Sequence, residues 1–287
     1  MLALVGILVV SPDVLLIRLM DLDHWTIAFW RGVLTTIGML AIVSILARIQ
    51  RTSLRTLFVS VGLIGLLVGV LSGINNLLFI VSVTHTHAAN TLVILTATPL
   101  FAAVFSRIFL KDRVPPETWV ASVVALVAIA FVFSGSLSTS GSLGDLAALS
   151  AAILLATNLT IIRQQRGRLM VPALVGSGAV TALAVAPLAD MSAMTGSEAP
   201  LLVVNGLVVV PLALALLMVA PRYISAPDTA LIYLLETVLG PFWVWVALGE
   251  APPTTTVIGG SVLIVTLALR HWYQNSYRHL ATEGASP

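Results

Sequence analysis

Apolar runs of about 18–25 residues, the length needed to cross a bilayer core, recur along the whole chain, each closed by a short polar stretch. This pattern predicts ten helices, at residues 2–20, 25–47, 57–83, 88–110, 117–135, 143–164, 170–190, 200–221, 226–249 and 254–273. Ten spans use nearly all of the 287 residues and leave no soluble domain. The first run is interrupted by Pro12-Asp13 and lacks a basic n-region and an A-x-A-like site, so it does not read as a signal peptide. It starts almost at Met1, which leaves room for a longer natural N-terminus.

The placement of charge supports the same count. Lys and Arg near span ends are retained on the cytoplasmic side. Arg48, Arg51 and Arg55 follow the second span, Arg107, Lys111 and Arg113 the fourth, and Arg163, Arg166 and Arg168 the sixth. Arg222 follows the eighth, and Arg270 and Arg278 the tenth. The alternate loops hold Asp21 and Asp23, His85 and His87, Asp145, then Asp190 and Glu198. Twelve of the fourteen basic residues fall on one side if both termini are cytoplasmic; Arg18 and Arg31 are the exceptions. The chain is thus expected to be a multi-pass protein of a bacterial inner (plasma) membrane.

Composition closes off other classes. Residues are 59% hydrophobic and 9% charged, too little charge to cover a soluble surface. The net charge of +2 sits at loop ends, so no nucleic-acid partner is expected. With no cysteine, disulfides, Cys-ligated metals and thiol catalysis are excluded. No P-loop, H-E-x-x-H or G-x-S-x-G motif is present. Gly141-Ser142-Leu143-Gly144-Asp145 matches the G-x-G-D of membrane aspartyl proteases only loosely, because Leu143 stands at a glycine position. His85 and His87 form a His-x-His pair without a third ligand nearby, which suits a wet vestibule or pH-sensitive gate better than a metal. No enzyme activity, cofactor or metal site is expected.

The chain also repeats itself. Ala88-Ala89-Asn90-Thr91, continuing to Leu110-Lys111-Asp112, aligns without gaps with Ala226-Pro227-Asp228-Thr229, continuing to Leu248-Gly249-Glu250. A Pro-Pro pair follows each, Pro115-Pro116 and Pro252-Pro253. The segment ending at Arg18 likewise pairs with the one ending at Arg163, which sets Asp13 opposite Asn158. Five spans per copy force the copies into opposite orientations, and their loop charges are opposite, as inversion requires. The expected architecture is therefore an all-α polytopic membrane protein with two inverted five-helix repeats, residues 1–137 and 138–287, the second ending in a short cytoplasmic tail.

Thr98-Pro99-Leu100-Phe101 through Phe109-Leu110-Lys111-Asp112-Arg113, and Leu235-Glu236-Thr237-Val238 through Leu248-Gly249-Glu250, carry a family resemblance. Over essentially its whole length the chain resembles an EamA-type member of the drug/metabolite transporter superfamily. That family's pattern is a Glu-Pro-Val/Leu run, an apolar helix and then Leu-Gly-Glu-Arg. Here Thr237 stands where proline is common, and Asp112 replaces a glutamate. The resemblance implies an exporter of amino acids or other small metabolites.

Strongly polar groups at membrane depth cost about 2.5–3.5 kcal/mol on insertion scales, so each needs a reason. Glu236 lies about ten residues into the ninth span, roughly 15 Å deep, with Tyr233 on the same face. It could carry a proton or pair with a substrate ammonium; the bland alternative is a helix–helix hydrogen bond. Asp13 follows the kink at Pro12, opposite Asn158 and Thr157, and could line a site or pair with Arg31 or Arg18. Arg31 could fork a substrate carboxylate or, near its helix end, snorkel to the interface beside Trp25 and Trp30. Asn75 and Asn76 follow Gly62, Gly65, Gly69 and Gly73, a small-residue face for close packing, and at least one of the two asparagines is expected to reach the cavity while the other bonds a neighbour. Thr98 and Thr96 are weaker candidates. Trp243 and Trp245 point to different helix faces, so at most one lines a pathway.

These residues suit a small amphipathic solute bearing an amino or amide group. The expected function is secondary active transport of amino acids or similar solutes by alternating access, proton-coupled through Glu236. The partners are then a small-molecule substrate, membrane lipid and protons. Alternatives are a passive facilitator or exchanger of the same fold and, far behind, an intramembrane enzyme. Oligomeric state is not legible.

Overall fold

A computed structural model describes residues 2–109, 120, 123–124, 127–128, 130–131, 141–165, 167–219, 236, 239–262, 264–266 and 268–269. The chain breaks its helices where proline or an unfilled backbone bond demands it. The first expected span is two short helices, α1 (Leu2–Val10) and α2 (Asp13–Leu19), joined at Ser11-Pro12. Proline has no amide hydrogen to donate into the preceding turn, so the ladder is interrupted there. Helix α3 (His24–Ile49) starts on Asp23, whose side chain accepts from the amides of Trp25 and Thr26 at 2.9 and 3.1 Å. This is an N-cap that satisfies two of the unpaired first-turn donors. Ser53 caps α4 (Leu54–His85) in the same way through the Thr56 amide. Gly62 interrupts α4 with φ 54° and ψ −154°, values that a side chain would resist, and so puts a kink in it.

The fourth expected span divides into α5 (Ala88–Leu95) and α6 (Thr98–Phe109), with Pro99 in the second helix's first turn. Then follow α7 (Ser142–Gln164) and α8 (Ala173–Val185), whose last turn tightens over Ala186–Leu188. The eighth expected span is α9 (Ala199–Val203), a wider π-helical stretch (Val204–Val209) and α10 (Val210–Val219). Helices α11 (Leu239–Leu248) and α12 (Thr254–Thr266) complete the described residues, among which there is no strand.

Five described stretches are long and apolar enough to cross a membrane: His24–Ile49, Leu54–His85, Ala88–Phe109, Ser142–Gln164 and Ala199–Met218. Ala173–Leu188, Leu239–Leu248 and Thr254–Thr266 are apolar but shorter. The expected fifth span and the first half of the ninth lie mostly outside the described residues, so the count of ten is not carried by them. Lipid-sized exposure marks the outer faces: Leu63 is 84% exposed and Leu183 76%. In water such faces would be a liability; in lipid they are the surface.

Close packing joins residues 1–137 to the rest. Helix α3 crosses α8, α4 packs on both α7 and α8, α1 lies on α10, and α3 lies along the π-helical stretch. Glycines make the approach possible. A Cβ on Gly178 would sit 2.5 Å from the carbonyl oxygen of Gly32, and one on Gly69 2.7 Å from that of Ala173. Gly69 and Gly73 thus serve as a small-residue packing face, against α8 in particular. The buried cluster of Val14, Ile17, Ile27, Leu202 and Val244 fills the space between these elements.

Candidate functional site

Asp13 is the first residue of α2, set there by the interruption at Pro12. It is 2% exposed, and its carboxylate is held from two sides. Arg31 Nη2 of α3 lies 2.8 Å from Oδ2, and Asn205 Nδ2 donates to Oδ1 at 2.6 Å. The Arg31 guanidinium is 4% exposed and lies 5.6 Å over the ring of Phe79. The ring's negative face favours a cation there. Arg31 therefore turns inward and does not snorkel to the interface. Of the two ion pairs the sequence allows, Asp13–Arg31 forms, while Arg18 bonds the Thr86 carbonyl and Glu250 Oε1, the latter at 3.4 Å.

Asn205 was not legible as a site residue, and its setting explains why. It lies in the π-helical stretch, six residues before Pro211. Pro211 cannot donate to the Leu207 carbonyl, and wide turns form where the regular ladder fails. A Cβ on Gly38 would come within 2.7 Å of that carbonyl oxygen. The neighbouring Gly206 carbonyl accepts from Thr35 at 3.1 Å. A Cβ on Gly206 would come within 3.1 Å of Arg31 Cα, so this glycine lets the stretch approach α3 beside the ion pair.

Glu236 is half-buried and lies within electrostatic reach of both Asp13 and Arg31. Tyr233 lies outside the described residues. Trp243 Nε1 donates to Ser11 Oγ at 3.2 Å, which ties α11 to the break between α1 and α2. Trp245 is 55% exposed.

The remaining candidates form separate contacts. Asn158 Nδ2 donates to Ser72 Oγ at 2.5 Å, a bond from α7 to α4. Asn76 Nδ2 donates to Thr181 Oγ1 of α8 at 3.4 Å. Thr98 bonds the Leu95 carbonyl at 2.7 Å, and Thr96 that of Val93 at 2.6 Å, so both hydroxyls are used locally. Among the described residues, eight buried side-chain atoms have no hydrogen-bond partner: Arg31 Nε and Nη1, Asn205 Oδ1, Asn75 Oδ1, Asn158 Oδ1, Arg18 Nε, Asp145 Oδ2 and Glu198 Oε2. Three of these eight atoms belong to the Asp13 constellation. Buried polar atoms are normally bonded.

Another polar region lies at the end of the bundle that carries His85, His87 and Glu250. A pocket of about 240 Å³ opens there, lined by Arg18, Thr84, His85, Thr86, His87 and Glu250. His87 Nδ1 lies 3.3 Å from Glu250 Oε1, and His85 Nδ1 2.9 Å from the Val81 carbonyl. No group of three or more His, Cys, Asp or Glu that could hold a metal occurs among the described residues.

Residues 1–134 match the model of the EamA-like transporter family, of the drug/metabolite transporter superfamily. No curated protein matches. Among the solved structures, fourteen chains match. One, titled only as the crystal structure of a protein, is 19% identical, covers 93% of each chain and superposes with a TM-score of 0.66. That likeness is one of fold and covers nearly the whole chain.

Proposed function

Because the chain belongs through residues 1–134 to the EamA-like transporter family, a family of transporters of small solutes, we propose that it is a secondary carrier of amino acids or similar amphipathic solutes. The observation that carries this reading is the Asp13–Arg31–Asn205 constellation, with its unpartnered guanidinium nitrogens and amide oxygen. A solute carboxylate would be taken by Arg31 Nε and Nη1, which present two donors in a fixed plane. A solute ammonium would lie toward Asn205 Oδ1 and Glu236. The apolar walls, among them Phe79, would take the side chain. An amphipathic zwitterion satisfies all three at once.

Glu236 is proposed as the proton carrier. Burial disfavours a charged carboxylate, and a cation or proton relieves it. When a solute ammonium arrives, the acid that faces it must be anionic; when the solute leaves, a proton can take its place. This exchange couples solute movement to a proton gradient, and export is the direction the family resemblance suggests.

The packing supports alternating access by two halves. Helix α1 on α10 corresponds to α7 on α4 if the halves are exchanged, and α3 on α8 corresponds to itself. Asp13 bonds Asn205 between the first and eighth expected spans, and Asn158 bonds Ser72 between the sixth and third. Rocking of one half on the other about the glycine-lined α3–α8 crossing would open the Asp13 constellation to either side in turn.

The test is counterflow and uptake of a labelled amino-acid panel in proteoliposomes, with and without a pH gradient. Wild type is compared with Glu236→Gln. Saturable flux that needs the gradient in wild type but not in the variant supports coupling through Glu236. Flux that is equal in both and blind to pH means a facilitator or exchanger instead. No flux of any amino acid rejects the substrate class.

A further inference from the structure

Where α4 ends and α5 begins, four polar side chains, three from helices and one from the α4–α5 junction, lie buried together. Asp145 lies in the first turn of α7 and is 0% exposed; Asn90 of α5 is 2%, Thr256 of α12 1% and Thr86, just past α4, 7%. Thr86 Oγ1 donates to Asp145 Oδ1 at 2.7 Å. Asn90 Nδ2 lies 3.4 Å from the same oxygen and 3.3 Å from Thr86 Oγ1, while Thr256 Oγ1 bonds Asn90 Oδ1. A Cβ on Gly144 would sit 2.7 Å from the Thr86 amide nitrogen, so the first turn of α7 is pressed against this corner.

The charge does not balance within this group. The side-chain partners of Asp145, Thr86 and Asn90, are neutral, and its Oδ2 is buried with no partner among the described residues. The Arg18 guanidinium directs Nη2 to the Thr86 carbonyl and to Glu250 Oε1, not to Asp145, and its Nε is buried with no partner. A desolvated anion costs several kcal/mol unless a positive charge meets it. The amide dipoles at the start of α7 offset part of that cost, but they leave Oδ2 unbonded.

We propose that Asp145, Thr86, Asn90 and Thr256 form a binding site for a small monovalent cation, sodium by its charge and hardness. The set offers two carboxylate oxygens, two hydroxyl oxygens and, after a half-turn of the Asn90 amide, its carbonyl oxygen. That turn points Nδ2 at Thr256 Oγ1, which then accepts, so the bond between them survives. All the ligands are hard oxygens, which excludes a preference for soft metals. With a single carboxylate the set matches one positive charge; calcium sites gather six to eight oxygens. Two ligands come from residues 1–137 and two from the remainder, so a bound cation would clamp the halves together at this end of the bundle.

Binding can be read without flux and so does not depend on the carrier reading. The purified full chain is melted in detergent at one pH and ionic strength, in sodium, potassium or choline chloride. A ligand that binds only the folded state raises the midpoint with concentration. In wild type the midpoint should rise saturably with sodium, by several degrees, with little or no rise in potassium or choline. Equilibrium dialysis with radioactive sodium should show about one ion per chain. Asp145→Asn should abolish both signals. Thr256→Ala, a milder change, should raise the half-saturating sodium concentration at least about fivefold, and it carries the test if Asp145→Asn fails to fold. Equal midpoints in the three salts, an equal rise in potassium, or a sodium response undiminished in either folded variant overturns the proposal.

Discussion

Replacing Arg31 with methionine keeps most of the side-chain volume and removes the charge. The carboxylate of Asp13 then remains buried without its cation. Breaking a buried ion pair from one side costs about 3–5 kcal/mol. At 4% and 2% exposure the two side chains get almost no relief from solvent, so the full range applies. The Asn205 bond to Oδ1 survives, which points to the lower end, about 3 kcal/mol. Asp13→Asn strands Arg31 instead, but Phe79 still lies beneath the cation, so about 2 kcal/mol is expected. The double variant Asp13→Asn/Arg31→Met buries neither charge and should lose only about 1 kcal/mol, the scale of one hydrogen bond. The cycle should therefore show a coupling of about 4 kcal/mol, and in any case more than 2. The assay is detergent-titrated unfolding in mixed micelles followed by the fluorescence of the six tryptophans. A coupling below about 0.5 kcal/mol, the size expected of independent sites, would refute the pairing and with it the geometry of the central constellation.

Gly178→Ala should lower stability by about 1–3 kcal/mol, the usual cost of overpacking, because its Cβ would meet the Gly32 carbonyl oxygen at 2.5 Å; unchanged unfolding would mean that α3 and α8 do not touch there. Asn205→Leu should lower stability by about 1–3 kcal/mol, because a buried Asp13 oxygen loses its bond, and raise the half-saturating concentration of a transported solute by about tenfold, roughly the value of one hydrogen bond to a charged group; unchanged saturation in counterflow would remove Asn205 from the site. Partial burial pushes the Asp23 carboxyl up, but hydrogen bonds from Thr26 and Trp25 outweigh it and hold it below the ordinary 3.8. The stability it contributes is therefore present above about pH 4 and is lost as pH falls through the lower folded-state value. Asp23→Ala should cost about 1 kcal/mol at neutral pH, with the gap to wild type narrowing in melts run below about pH 4.

Much of the framework could be read from hydropathy, because lipid imposes one strong rule: long apolar runs form helices that bond their own backbone. The stretches at 24–49, 54–85 and 142–164 lie within a few residues of their expected positions. Asp13 and Arg31 were legible because charge at membrane depth stands out whatever its partner. Their pairing was not fixed, since Arg18 competed on equal terms until the fold drew it toward Thr86 and Glu250. Arg31 looked interfacial because it lies only two turns from the start of its helix. The fold overrides that position by placing Asp13 and Phe79 on its inner side. Asn205 was missed because a lone asparagine in an apolar span looks like an ordinary interhelical bond; only the wide turn before Pro211 and the approach of α3 give it a role. Thr98 shows how little a motif says about a hydroxyl's partner. A hydroxyl in a polar-looking motif turns out to serve its own backbone.

The kink at Gly62 bears on the membrane this protein can occupy. Helix α4 has 32 residues, and a straight helix of that length would reach about 48 Å, well beyond a hydrocarbon layer of about 30 Å. Beyond Gly62, residues 63–85 alone reach about 35 Å, close to a full crossing with modest tilt. The turns before the kink take their own direction, with Leu57 and Val61 buried against the bundle. Hydrophobic mismatch can be absorbed by opening or closing the angle at one residue, so a thicker or thinner bilayer need not tilt the whole bundle or disturb the crossing of α3 and α8.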